Sequence, residues 1–141
     1  MKRVMPEAMR KLLTKIKITS HLIGRDVDII TVRDIAFTNK WTELPMSMRA
    51  DNNPEAKIAF LLTYREENRL VFSEIYEEGV LGRKSLFVDA DELIQVQLGK
   101  LKDCVTDTII EPGKDFYLPF GQPHQYQALE TTVFTATLKL F

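Results

Sequence analysis

One cysteine, Cys104, and two histidines, His21 and His124, are all that this 141-residue sequence holds of the side chains that most often build redox and metal centres. A lone cysteine excludes an internal disulfide and any CxxC pair, and it fits a reducing compartment, so a cytoplasmic protein is expected. Beside Val105, Cys104 reads as an inert buried strand thiol. No apolar run approaches the ~18 residues of a membrane span, and no uninterrupted apolar segment follows Lys2 and Arg3, so neither a membrane segment nor a secretory leader is expected. Charge of neither sign is in excess. The net value of −1 gives no global attraction to nucleic acid or to acidic partners. Repeats and low-complexity tracts are absent. So is a phosphate-binding glycine loop: Gly79-Val80-Leu81-Gly82-Arg83-Lys84 has the wrong spacing, and no helix follows it. No Ser-His-Asp order stands out, and basic and aromatic residues do not interleave as nucleic-acid binding requires.

What remains is an ordinary globular composition, 45% apolar and 28% charged, at a length that makes one domain with a real core. Residues 4–17 place Met5, Met9, Leu12, Leu13 and Ile16 at helical spacing. Pro6 and Glu7 suit a first turn. Residues 1–20 are therefore read as an amphipathic N-terminal helix whose basic face is solvated, with the apolar face packed on the main body or on a partner.

From residue 21 to 141 the pattern changes to short β-rich runs separated by turn signals. Expected strands are Asp26 to Phe37, Ala56 to Tyr64, Arg69 to Tyr76, Lys84 to Val88, Glu92 to Leu98, Leu101 to Val105, Thr108 to Ile110, Phe116 to Leu118, Gln125 to Leu129 and Val133 to Leu140. Arg65-Glu66-Glu67-Asn68 turns a hairpin, and Asp89-Ala90-Asp91 reads as a turn. In the last run Phe134, Ala136, Leu138 and Leu140 alternate with Val133, Thr135, Thr137 and Lys139, the period of a half-buried antiparallel strand. Many short strands with frequent turns imply an all-β sandwich or barrel.

The most organised stretch is Gly113 to His124. Gly113 suits a positive φ, Pro119 and Gly121 bend the chain, and His124 opens the next strand. Glycine, five residues, proline, one, glycine, two, histidine is the second signature motif of the cupin superfamily, which this chain resembles; only the closing asparagine differs, as Ala128. The first motif is similar at Gly79, Glu92 and Gly99 but lacks both histidines. Depending on a four- or three-residue gap, Ser85 and Phe87, or Leu86 and Val88, stand in their places.

The resemblance implies a single RmlC-like jelly-roll barrel, a double-stranded β-helix, over residues 21–141. In metal-binding members three histidines and a glutamate hold iron, manganese, zinc or nickel. Here only His124 and Glu92 of that set remain, and two ligands do not make a tight site. No cofactor is therefore expected, and if a divalent metal binds, His124 and Glu92 are its ligands. The resemblance implies a small-molecule binding protein, with Ser85, Phe87, Tyr117, Tyr126 and Trp41 as candidate ligand-contacting residues. The alternative is an enzyme using His124 and Glu92, either of the epimerase or isomerase type, where a tyrosine (Tyr76, Tyr117 or Tyr126) assists, or with a reduced metal-ligand set. The resemblance also implies a homodimer that covers an open sheet edge; from charge and composition, no nucleic-acid or membrane partner is expected.

Overall fold

The structure, a computed structural model, describes residues 27–34, 42–43 and 58–141. The helix expected over residues 4–17, His21 and Trp41 lie outside them. Among the described residues no helix is long and apolar enough to cross a membrane.

Period-2 patterning becomes strand almost everywhere it was read. The strands are β1 (Asp28–Ile30), β2 (Thr42–Glu43), β3 (Ile58–Arg65), β4 (Arg69–Tyr76), β5 (Ser85–Phe87), β6 (Ala90–Leu98), β7 (Leu101–Asp103), β8 (Thr108–Ile110), β9 (Asp115–Leu118), β10 (Tyr126–Ala128) and β11 (Thr132–Leu140). One sheet runs β2-β3-β4-β11-β6-β9. Its neighbours pair antiparallel, so the alternating apolar residues of each strand line one face. Phe134 faces Glu74 on one side and Val96 on the other, and Leu138 faces Leu70 and Glu92. Strands β10-β7-β8 form a second antiparallel group, and β1 pairs parallel with β5. Two isolated bridges, Leu81 with Gln127 and Ser85 with His124, join these two groups into one layer.

Both layers contribute to a single core. Phe60, Ile94, Phe134 and Leu138 come from the larger sheet, and Phe87, Leu101, Ile110 and Tyr126 from the other. Full burial of an aliphatic or phenyl side chain contributes about 1.5–3 kcal/mol, which makes this shared core the main reason the layers close on each other. Gly99 ends β6 at φ +92°, and a Cβ there would lie 2.4 Å from the Thr131 carbonyl oxygen, so only glycine fits this turn. Gly113 has the positive φ expected of it, +87°.

Three expectations need correction. Among the described residues 27–34 of the run from Asp26 to Phe37, strand is confined to Asp28–Ile30, after which Val32–Asp34 forms a 3-10 turn. The cause is remote in sequence: the Asp89 carboxylate accepts the amides of Val32 at 2.7 Å and Arg33 at 3.1 Å. The Asp89-Ala90-Asp91 turn is shorter than read, because Ala90 already pairs with Leu140 in the β11–β6 ladder. Cys104 lies in the turn after β7 rather than in a strand, and it is half-buried rather than buried. Partial burial pushes its thiol pKa up, in keeping with an unreactive cysteine.

Candidate functional site

Hydrogen bonds to β5 and β6 position the segment that carries His124. The Gly121 amide donates to the Phe87 carbonyl at 2.6 Å, which pins the Pro119-Phe120-Gly121 turn against β5. Asp91 fixes the same turn from β6, accepting the Phe120 amide at 2.9 Å. Three residues past Gly121, His124 and Ser85 exchange both backbone hydrogen bonds, at 2.8 and 2.9 Å. The imidazole is thereby turned inward, where it is only 6% exposed. It lies between two rings, Phe87 at 5.1 Å and Tyr126 at 4.9 Å between centroids. Burial pushes its pKa down to about 4, against smaller opposing contributions from Asp103 and the Gln122 backbone, so the ring is neutral at physiological pH. Its Nδ1 is buried without a hydrogen-bond partner.

Glu92 enters the same interior from β6 of the larger sheet, on the face shared by Ile94 and Val96. Its Oε1 accepts a 2.8 Å hydrogen bond from the Tyr126 hydroxyl. Burial raises its pKa to about 7, and the Tyr126 bond pulls the other way. The Tyr126 hydroxyl itself is pushed well above its usual value, first by burial and then by Glu92. His124 and Glu92 share no hydrogen bond. Tyr126 stands between them, stacked on one and bonded to the other.

Sequence reading missed a fourth group. Glu74 on β4 alternates in phase with Leu70, Phe72 and Tyr76 and is buried with them. Burial, followed by repulsion from Glu92, raises its pKa well above the carboxylate range. The signal was available: a carboxylate at the inward phase of a strand whose other inward residues are apolar. Tyr76, two residues on, packs against Phe134 at 5.4 Å, and Tyr126 lies on the same phenyl ring at 6.3 Å.

The remaining candidates sort clearly. Ser85 and Phe87 are buried on the His124 side, whereas Leu86 and Val88 pack in a separate cluster with Val27. Of the two pairs, Ser85 and Phe87 are therefore the one that lies on the His124 side. Tyr117 is 59% exposed and donates to Asp91 Oδ2 at 2.8 Å, so it braces the turn from outside and does not reach the interior. Of the three tyrosines considered beside His124, the structure brings Tyr126 to it.

A metal ion of the kind the fold family holds does not fit these side chains. Ser85 donates its hydroxyl to the Arg83 carbonyl at 3.2 Å. Phe87 offers no ligand, and Glu92 is engaged by Tyr126. Among the described residues no three His, Cys, Asp or Glu side chains converge on one point.

No protein-family model matches the sequence, and no curated protein matches it. Solved structures do match the fold. The structure of KdgF from Halomonas sp. superposes with a TM-score of 0.60 at 15% identity, over 76% of this chain and 95% of that one. An RmlC-like cupin from Shewanella frigidimarina gives 0.58 at 9% identity, over 77% and 93%. An acetylacetone dioxygenase from Acinetobacter johnsonii gives 0.59 at 10% identity, over 74% and 72%.

Proposed function

We propose that this chain, which has the cupin fold, binds a small molecule within its barrel at His124, Glu92 and Tyr126, without a tightly bound transition metal. The observation that carries the reading is the His124 Nδ1, buried and unpartnered. An unmet buried polar atom costs about 1–3 kcal/mol. A ligand that pairs with it recovers that cost, and the neighbouring Glu92–Tyr126 pair supplies an acceptor and a donor for orientation. The test is a thermal-shift and ligand-observed NMR screen of small metabolites against the wild type and His124→Gln. A compound that stabilises the wild type and not the variant supports the reading. Stabilisation that is indifferent to His124, or a barrel that answers to no compound, counts against it.

A second reading rests on a different observation. Glu92 is pushed up to about 7, where a carboxyl gives and takes protons readily at neutral pH. Glu92 would then act as the acid–base group at a carbon acid, with Tyr126 and His124 polarising the adjacent oxygen. Incubating the protein with sugars in D2O and following C–H exchange by NMR tests it. Exchange that persists in Glu92→Gln would rule this chemistry out.

A further inference from the structure

Four carboxylates are buried among the described residues, and they divide into two kinds. Asp89 accepts the Val32 and Arg33 amides. Asp103 accepts from the amides of Val105, Thr106 and Gln125 and from the Thr106 hydroxyl. Those two are occupied by holding turns together. Glu92 receives one hydrogen bond, from Tyr126, and Glu74 receives none from the described residues. Both of the latter face the barrel interior, where no described lysine or arginine is buried. Their surroundings are aromatic: Tyr126 packs against Phe134 and against His124, whose Nδ1 is unpaired, and Tyr76 packs against Phe134 as well.

We propose that the ligand of this site is a small organic ammonium ion, held by Glu74 and Glu92 and seated against the tyrosine rings. The inference rests on the small-molecule reading above and narrows it to a charge class. Spare carboxyl acceptors attract N–H donors, and charge-assisted hydrogen bonds are the stronger kind. Aromatic faces attract the same positive charge. An anion would meet two acids and, among the described residues, no buried lysine or arginine. A bare metal ion needs its ligands around one point, which Glu74, Glu92 and His124 do not provide. A molecule with several N–H and C–H groups can span them.

The test is titration of the isotope-labelled protein with ethanolamine, putrescine and benzylamine, each beside its neutral N-acetyl counterpart, and with neutral sugars. The amines are expected to perturb the side-chain and amide signals of β4, β6 and β10, and the acetylated forms are expected not to. Glu74→Gln and Glu92→Gln are each expected to weaken amine binding by about tenfold or more. Glu74→Gln keeps the side-chain shape, and its folding is checked by the dispersion of the same spectra. Should that variant fail to fold, Glu92→Gln decides alone. Neutral counterparts binding as tightly as the amines, or amine affinity unchanged in the variants, overturns the charge assignment. A neutral sugar bound in a His124-dependent way would overturn it while leaving the small-molecule reading intact. Binding by none of the probes overturns the assignment, and the small-molecule reading is then decided by the wider screen against His124→Gln.

Discussion

The Tyr126 hydroxyl donates to Glu92 across 2.8 Å in the barrel interior, with both groups buried. That bond is the one described contact that favours the ionised form of Glu92, against the burial that disfavours it. Tyr126→Phe removes the donor and leaves the ring packing of His124 and Phe134 in place. The Glu92 pKa is therefore expected to rise above its value of about 7. Carboxyl-carbon NMR across a pH series reads it directly, and an unchanged or lower value in Tyr126→Phe would contradict the assignment.

Glu92 and His124 also make opposite contributions to stability as pH changes. Glu92 titrates near 7 when folded and near 4.5 otherwise, so its folded form binds a proton more tightly. Its contribution is full below pH 4.5 and lost as pH rises through 7, a change of about 3 kcal/mol. His124 titrates near 4 when folded and 6.5 otherwise, so its contribution is full above pH 6.5 and lost as pH falls through 4, again about 3 kcal/mol. Glu74, also raised, adds to the Glu92 trend. The two slopes oppose each other between about pH 4.5 and 6.5. Urea denaturation should show Glu92→Gln gaining on the wild type as pH rises, and His124→Gln gaining on it as pH falls. Parallel pH profiles for the wild type and both variants would refute the shifts.

Most of the strands were legible because β-strands buried on one face write their period into the sequence. The hairpin Arg65–Asn68 and the alternation of β11 are the plainest cases. Gly113, Pro119 and Gly121 announced the turn that aims His124, since their roles are local. What was not legible depends on contacts between distant residues. Asp89 converts the end of the first strand into a 3-10 turn from more than fifty residues away. Tyr117 and Tyr126 look alike in sequence, and only the pairing of β9 with β6 sends the first outward to Asp91. Glu74 could have been found by phase alone, but its partner Glu92 lies across β11 and only the sheet order brings the two together.

Asp103 separates a structural carboxylate from a functional one. It is fully buried and accepts four hydrogen bonds, three of them from backbone amides. Asp103→Ala leaves those donors unmet in a turn next to His124, at a cost of about 3 kcal/mol or more. Glu74→Gln, at a position with no such donors, should cost about 1 kcal/mol or less, because it removes a desolvated acid and breaks no hydrogen bond among the described residues. Chemical denaturation at pH 7 compares them. A Glu74 variant that loses as much as the Asp103 variant would assign Glu74 to the scaffold.

The register of the first motif can be tested by building what it lacks. Ser85 and Phe87 point to the His124 side of β5, and Leu86 and Val88 point away into the Val27 cluster. Replacing Ser85 and Phe87 together by histidine puts two imidazoles beside His124, with Glu92 on the adjoining sheet. Three or four ligands on one side of a rigid barrel suffice for zinc, nickel or manganese. The double variant Ser85→His, Phe87→His is expected to bind about one equivalent of such a metal and to be stabilised by it, as binding to the folded state requires. The control Leu86→His, Val88→His places the same two residues in the opposite phase, so it should bind none tightly and lose stability from the disrupted cluster. Elemental analysis after dialysis, with thermal melts in the presence and absence of metal, separates the pairs. Equal metal content in the two double variants would mean that His124 does not face Ser85 and Phe87, and the site built on that geometry would fall with it.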